Sequence, residues 1–235
     1  MLHTEAQKKK GGVIRVDHTQ YFEYTENEIT YLKSKDTALG KAMDEIGHVY
    51  REVIPNMFMA LVNAIIGQQI STKAQETVWA RFQTMFAPIT PEHIGDMAVE
   101  TIQSCGISMR KAAYIREIAD DIRSGRLDLE TLQSMSDADV CKRLSQIRGV
   151  GVWTAEMLMI FSMQRMDVLS RDDMAIARGL RMLYHHREIT PKLFEKYRRR
   201  YSPYATVASL YLWQIAHGVC EGLVDHAPKK SAKKK

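Results

Sequence analysis

The amino-acid sequence predicts an all-α fold, on three observations. Helical patterning continues from about Glu26 to about His217, and only residues 13–24 are patterned like a short β-strand. Cap residues followed by proline mark helix starts, because the first helical N–H has no partner and proline is therefore tolerated there. Three such starts are present, at Thr90-Pro91, Thr190-Pro191 and Ser202-Pro203.

Composition excludes several classes of protein. The chain has 235 residues, of which 45% are hydrophobic and 26% charged, as in one ordinary globular unit. No apolar run approaches the roughly 20 residues of a membrane helix and no charged-then-apolar leader opens the chain, so we expect a cytoplasmic protein without a membrane span. Three widely spaced cysteines make neither a disulfide framework nor a four-thiolate cluster. No cofactor and no metal site built from side chains is expected.

Charge is unevenly distributed along the chain, whose net charge is +5. Lysines concentrate in a basic segment, residues 1–20, and in a tail, residues 227–235, both predicted to be flexible ends of one domain over residues 21–226. Within that domain, residues 143–213 hold twelve Lys and Arg against six Asp and Glu. A basic half of this kind is typical of proteins that bind a polyanion.

Local patterns place several helices. Apolar residues at i, i+3, i+4, i+7 and i+8 predict one buried helical face, formed by Phe58, Leu61, Val62, Ile65 and Ile66. Ser136 is predicted to cap a later helix, with Asp139 in the capping-box position. Gly218 is predicted to end the last helix.

A hairpin between two helices, over residues 137–164, is the most informative stretch. The first helix is expected to break at Arg148-Gly149-Val150-Gly151-Val152, and the second to begin at Trp153-Thr154-Ala155. The two glycines permit positive φ and a bare backbone, and the amides that start the next helix attract a phosphate. Glycines alone would indicate only a chain reversal. The whole string from Leu144 to Ala155 resembles the helix–hairpin–helix of DNA-binding proteins, which grips one backbone without reading sequence.

Two adjacent carboxylates follow the hairpin, at Asp172 and Asp173, the latter twenty residues after Trp153. Alone, such a pair indicates a helix N-cap. Together with the hairpin and the turn Ile65-Ile-Gly-Gln-Gln-Ile-Ser71, it resembles the helix–hairpin–helix DNA glycosylase superfamily, most closely its DNA-3-methyladenine glycosylase II branch, over roughly residues 50–218. The resemblance implies two helical lobes around a DNA-binding cleft. It also implies a monomer that binds double-stranded DNA containing damaged bases.

The resemblance further implies that Asp173 is catalytic and that Asp172 is a cap or a neighbouring structural group. Cleavage of an N-glycosidic bond builds positive charge on the sugar, which a carboxylate stabilises while it positions or deprotonates water. Bifunctional members carry a lysine where this chain has Trp153, so the amine that would form a Schiff base is missing. The implied enzyme is a monofunctional glycosylase of base-excision repair, which leaves an abasic site and does not nick the strand.

Aromatic side chains are expected to line the base pocket, because alkylated purines such as 3-methyladenine are cations. Trp153 is one candidate wall, and Tyr204 stands where the family places a second aromatic, which is often tryptophan. Met157 lies one helical turn after Trp153 and is the third candidate. A plain core position is the alternative for each of them.

The turn Gly67-Gln68-Gln69-Ile70 resembles the family's wedge, which fills the gap left by a flipped base. We expect Gln69 at its tip and Gln68 beside it, with a buried amide that caps a helix end as the alternative for Gln68. The implied DNA contacts of the hairpin are at Arg148, Gly149, Val150, Gly151 and Thr154. The resemblance also implies that the carbonyls of Ser145, Ile147 and Val150 can hold a monovalent cation.

Two other functions stay open at this point. One is a glycosylase for another lesion (uracil, hypoxanthine or an oxidised purine), a choice that would be made at Tyr204 and Met157. The other is a non-catalytic helix–hairpin–helix module that binds DNA. The presence of Asp173, Trp153 and the glutamine turn counts against the second.

Overall fold

The computed structural model describes residues 19–228, whose regular secondary structure is almost entirely helical, and the all-α prediction is confirmed. Most of the predicted basic segment (up to residue 18) and of the predicted tail (from residue 229) lies outside the described residues. The helices are α1 (Glu26–Lys35), α2 (Thr37–Ile46), α3 (Met57–Gly67), α4 (Thr72–Phe86), α5 (Pro91–Gly95), α6 (Val99–Gln103), α7 (Met109–Arg123), α8 (Asp137–Ser145), α9 (Val152–Phe161), α10 (Met174–Tyr184), α11 (Pro191–Tyr201) and α12 (Ala205–Ala216).

Regular structure other than α-helix is sparse in the described part of the chain. A 3₁₀ turn spans Thr131–Ser134, just before α8. Strands β1 (Gln20–Tyr21) and β2 (Glu52–Val53) form an antiparallel pair. The strand expected within residues 13–24 is therefore limited, among residues 19–24, to the two residues of β1. Between residues 19 and 228, no helix is both long and apolar enough to span a membrane.

Two of the three cap–proline starts are confirmed, and one is wrong. The hydroxyls of Thr90 and Thr190 accept the N–H groups of His93 and Leu193, with proline in the first turn of each helix. Ser202 instead ends α11, and α12 begins three residues later, at Ala205. Tyr204, not Ser202, stands at the start of α12, and the first helical N–H, that of Ala205, is accepted by the Asp167 carboxylate. The Ser202 hydroxyl donates to the same carboxylate at 2.7 Å.

The other local predictions are confirmed, apart from the capping box at Ser136. All five apolar side chains of the α3 stripe are buried in the core. The Ser136 hydroxyl accepts the N–H of Asp139 and so caps α8 as predicted. The Asp139 carboxylate accepts from the Ser136 hydroxyl, and not from the Ser136 backbone N–H as a capping box requires. Gly218, with φ of +83°, follows the end of α12.

The helices pack mainly in two groups. One consists of α1, α2, α10, α11 and α12, and the other of α3 to α9. This arrangement agrees with the two lobes expected from the resemblance. The start of α10, the first turn of α9 and the last turn of α12 meet where the two groups adjoin. The junction therefore brings together side chains that are 20 and 40 residues apart in the sequence.

Candidate active site at the junction of the two helical groups

Asp173 is buried, with 7% of its surface exposed, and immediately precedes α10. Its Oδ1 accepts the N–H groups of Ala175 and Ile176, each at 2.8 Å, so Asp173 is the N-cap of α10. Of the two roles expected for Asp172, a cap or a neighbouring structural group, the cap role is wrong, because Asp173 holds it. Asp172 is exposed and lies one residue too early to reach these amides.

Two indole groups also bind the Asp173 carboxylate. Nε1 of Trp153 donates to Oδ2 at 3.0 Å, and Nε1 of Trp213 donates to Oδ1 at 3.3 Å. Trp153 lies in the first turn of α9 and Trp213 near the end of α12, so each helical group contributes one donor. Four N–H groups thus fix the orientation of one carboxylate. Its Oδ2 bonds only to Trp153 among the described residues, and Trp153 is itself 46% exposed.

Trp213 is a site residue that the sequence analysis missed. It reaches Asp173 because α10 and α12 approach closely: a Cβ on Gly179 would lie 2.4 Å from the carbonyl oxygen of Leu212. The Trp213 ring also packs on Phe161, with ring centroids 5.6 Å apart. The only sequence signal was its place in the same segment as Tyr204, nine residues earlier.

The other two predicted pocket residues are placed differently. Met157 is half-buried on α9, one turn after Trp153 and on the same side of the helix. Tyr204 is half-buried just before α12, where its ring meets the edge of Tyr31 at 5.1 Å. Within the described part of the chain, none of the contacts of Tyr204 reaches Asp173.

The segment that leads to Asp173 is anchored on both sides. Toward α12, the Thr206 hydroxyl accepts the N–H of Val168, and the Ser209 hydroxyl donates to the Val168 carbonyl. Toward α9, the Ser170 hydroxyl donates to Oε2 of Glu156 at 2.5 Å.

Glu156 is a second residue that the sequence analysis missed. Burial raises the pKa of its carboxyl, and the negative charges of Asp172 and Asp173 raise that pKa further. A usable signal was present, because Glu156 is the one charged residue of the mostly apolar sequence Val152–Phe161.

The hairpin between α8 and α9 exposes backbone on one side and is anchored by Val150, which is buried. Gly149 has φ of +85°, and a Cβ there would lie 2.4 Å from the Tyr114 ring. Gly151 has φ of −88° and precedes α9 without any side-chain cap, so the first N–H groups of α9 have no intrahelical partner. This end of the helix can accept an anion.

The remaining hairpin residues predicted to contact DNA differ in exposure. Arg148 is exposed, with its guanidinium 3.3 Å from the Glu117 carboxylate and over the Tyr114 ring. Thr154 is buried, so only its backbone N–H, in the first turn of α9, is placed for such a contact. Of the three carbonyls expected to hold a cation, that of Ile147 accepts the N–H of Val150 at 2.9 Å and keeps a second lone pair.

The predicted wedge turn lies at the end of α3. Gln69 is exposed and has φ of +58°. Gln68 is half-buried, and its side-chain amide donates to the Gly149 carbonyl at 2.7 Å. Nζ of Lys111 donates to the carbonyls of Ile66 and Gln68, at 2.9 and 2.6 Å. The two glutamines therefore differ: one is held inside the structure, and the other faces outward.

Known proteins share this arrangement of helices. The sequence profile described as "HhH-GPD superfamily base excision DNA repair protein" matches residues 62–203. DNA-3-methyladenine glycosylase 1 of Schizosaccharomyces pombe is 36% identical over 161 residues, which cover 66% of this chain and 71% of that protein. The crystal structure of DNA-3-methyladenine glycosidase from Bacillus halodurans has a TM-score of 0.75 and 36% identity, and the match covers 85% of this chain and 93% of that one.

A second solved structure is that of the Schizosaccharomyces pombe 3-methyladenine DNA glycosylase in complex with abasic DNA. It has a TM-score of 0.68 and 31% identity, and the match covers 80% of this chain and 95% of that one. The profile match spans more than half of the chain, and the structural matches include both helical groups. The chain belongs to the HhH-GPD superfamily of base excision DNA repair proteins.

Proposed function

We propose that this protein is a DNA glycosylase of base-excision repair that removes alkylated purines, such as 3-methyladenine, from duplex DNA. The observation that supports the proposal is the carboxylate of Asp173, held by four N–H donors at the junction of the two helical groups. The relatives named above are 3-methyladenine glycosylases. A binding module would not need a carboxylate fixed in this way.

In the proposed reaction, the bond between C1′ and the purine nitrogen breaks, and its electron pair leaves with the base. An alkylated purine is already cationic, so it departs without prior protonation, and positive charge develops on the sugar. The Asp173 carboxylate stabilises this charge, and Oδ2, bonded only to Trp153 among the described residues, is the oxygen left to orient a water. The water oxygen then bonds to C1′ and gives up a proton to the Asp173 carboxylate or to the solvent, so that an abasic site remains.

Trp153 has two roles in this proposal. Its Nε1–H orients Asp173, and its exposed ring provides a face on which a cationic base can stack. The indole carries no nucleophilic amine, so the sugar is attacked by water and not by an enzyme nitrogen. The proposed enzyme is therefore monofunctional and leaves the strand intact.

Recognition of the duplex is assigned to two turns. The uncapped first turn of α9, behind Gly149 and Gly151, would bind a backbone phosphate, with Arg148 adding positive charge beside it. The exposed Gln69 would enter the space left by the flipped base. We expect one copy of the chain to act on each lesion.

The test is release of free base from methylated duplex DNA, measured by chromatography for the parent and for Asp173→Asn. The four N–H groups now donate to the two carboxylate oxygens of Asp173. Asparagine would replace one of these oxygens by an NH₂ group, which cannot accept such a bond, and would remove the negative charge. We expect the parent to release 3-methyladenine, with the strand intact until alkali is added. The variant should be at least about 100-fold slower while still binding DNA.

Two outcomes would count against the proposal. A parent that binds duplex but releases no base from methylated DNA would remove the alkylpurine activity, and duplexes with uracil, hypoxanthine or oxidised guanine would then be assayed. An Asp173→Asn variant as fast as the parent would remove Asp173 from the reaction.

A further inference from the structure

A second carboxyl group, that of Glu156, lies close to Asp173 and has no part in the reaction described above. Glu156 is on α9, three residues after Trp153, and therefore on the same side of the helix as the indole that binds Asp173. It is half-buried, and its Oε2 accepts a hydrogen bond from the hydroxyl of Ser170 at 2.5 Å. Burial of a carboxyl group is costly unless the group is hydrogen-bonded, and Ser170 supplies that bond.

Ser170 is almost fully buried, with 1% of its surface exposed, and lies three residues before Asp173. Earlier in the same segment, Asp167 and Val168 are bonded to residues at and just before the start of α12. Among the described residues, the Ser170–Glu156 bond is the last side-chain hydrogen bond of this segment before Asp173, and it attaches the segment to α9. The loop that precedes Asp173 is therefore hydrogen-bonded to both helical groups.

We propose that Glu156 is a positioning residue for the glycosylase reaction, which holds Asp173 in register with Trp153 through its hydrogen bond to Ser170. The inference depends on the proposed function, because it assigns Glu156 to the reaction of that site. Two residues of α9 hold this part of the chain. Trp153 binds the Asp173 carboxylate directly, and Glu156 binds the side chain of Ser170, three residues before Asp173. A carboxylate displaced by about 1 Å from C1′ would lose much of its effect on the rate.

Single-turnover base release is the experiment, with affinity for abasic duplex and melting temperature measured on the same proteins. Ser170→Ala and Glu156→Ala each remove one end of the bond, and each is expected to be about 10- to 100-fold slower, with DNA affinity changed less than about threefold. Ser162→Ala is the matched control. Ser162 is a buried serine of the same segment, eleven residues before Asp173. Its hydroxyl donates to the Pro55 carbonyl and not to Glu156.

Two further variants separate positioning from a general loss of structure. The double variant Glu156→Ala with Ser170→Ala should be no slower than the slower single variant, because both changes break the same bond. Glu156→Gln keeps an acceptor oxygen for Ser170 and should restore the rate to within about threefold of the parent.

The proposal would be overturned if Ser170→Ala matched the parent, if the two single effects multiplied in the double variant, or if Glu156→Gln were as slow as Glu156→Ala. A slow Glu156→Gln variant would mean that the negative charge of Glu156 matters, and not its hydrogen bond to Ser170. If Glu156→Ala does not fold, Ser170→Ala removes a single oxygen and still decides the question. A parent that releases no base would overturn both proposals, whereas an active parent with equally active variants would overturn only this one.

Discussion

The side-chain amide of Gln68 donates a hydrogen bond to the backbone carbonyl of Gly149 at 2.7 Å, which joins two turns that lie 81 residues apart in the sequence. Lys111 binds the same turn from α7 through two carbonyls. The turn after α3 and the hairpin before α9 therefore form one structural unit. If the hairpin grips a phosphate, Gln69 is held at a fixed place relative to that phosphate.

The two glutamines are predicted to have separable roles. Gln69→Ala should leave stability nearly unchanged and lower single-turnover base release about tenfold, because only a side chain that enters the DNA is lost. Gln68→Ala should lower the free energy of unfolding by about 1 kcal/mol, because it removes a partner of the Gly149 carbonyl. Chemical denaturation and base release, measured on both variants, check this. Equal effects on stability would contradict the assignment of Gln69 as the tip.

Substitution by alanine is predicted to affect stability differently at the two hairpin glycines. Gly149→Ala should destabilise the protein by about 2 kcal/mol, because its φ is +85° and its Cβ would collide with Tyr114. Gly151→Ala should cost less than about 1 kcal/mol, because its φ is −88° and, apart from its neighbours in the sequence, no described residue lies within 4 Å of the added Cβ.

DNA affinity should show a different pattern for Gly151. Its added methyl group would stand where a phosphate approaches the first turn of α9, so binding to duplex should weaken about tenfold in a protein that is still stable. The measurement is a fluorescence titration at fixed salt concentration. Unchanged affinity in Gly151→Ala would argue that the phosphate does not bind at this end of α9.

Local features of the fold were predictable from the sequence, because their signals lie within a few residues. The α3 stripe, the caps at Thr90, Ser136 and Thr190, and the glycine hairpin are of this kind. The start predicted at Ser202-Pro203 was wrong because α12 begins only at Ala205, whose N–H is bound by Asp167, 38 residues away in the sequence. No local pattern reveals such a partner.

The site was predictable only in part, for the same physical reason. Asp173 and Trp153 carry a recognisable spacing, and the structure places them 3.0 Å apart. Trp213 could not be found from spacing, because its approach to Asp173 depends on the close packing of α10 on α12. Tyr204 stands at the position implied by the resemblance, but its contact is with Tyr31 of α1.

Trp213 is predicted to matter for the rate more than for the fold. Trp213→Phe keeps a ring against Phe161 but removes the N–H that binds Oδ1 of Asp173. One hydrogen bond to a charged group corresponds to about tenfold in rate, so single-turnover release should slow by roughly that factor. Trp79→Phe is the control, since Trp79 is a half-buried indole stacked on Phe82 in α4. If both variants lose rate equally, the indole of Trp213 has no specific role.

The helix that Asp173 starts is also held at its other end, where a pH-dependent contribution to stability is predicted. Arg181 of α10 forms two hydrogen bonds with the Asp225 carboxylate, both at 2.7 Å. This contact, with the Ala227 N–H and Arg178 adding to it, lowers the pKa of Asp225 from its ordinary value of 3.8 to about 2. A carboxyl group whose pKa is lower in the folded state stabilises the fold above its unfolded pKa, and this contribution is lost as pH falls toward the folded pKa.

Asp225→Asn should therefore lower the free energy of unfolding by about 1 kcal/mol at pH 7, a value kept small because the pair is partly open to water. The difference from the parent should persist down to about pH 5, shrink between about pH 4 and pH 2, and be absent below that range. Denaturant titrations across this pH range give the measurement. Asp44→Asn serves as the control, because Asp44 pairs with Lys33 at a site where 68% of its side chain is exposed. A difference between parent and Asp225→Asn that stayed constant from pH 7 to pH 2 would show that Asp225 acts through packing and not through its charge.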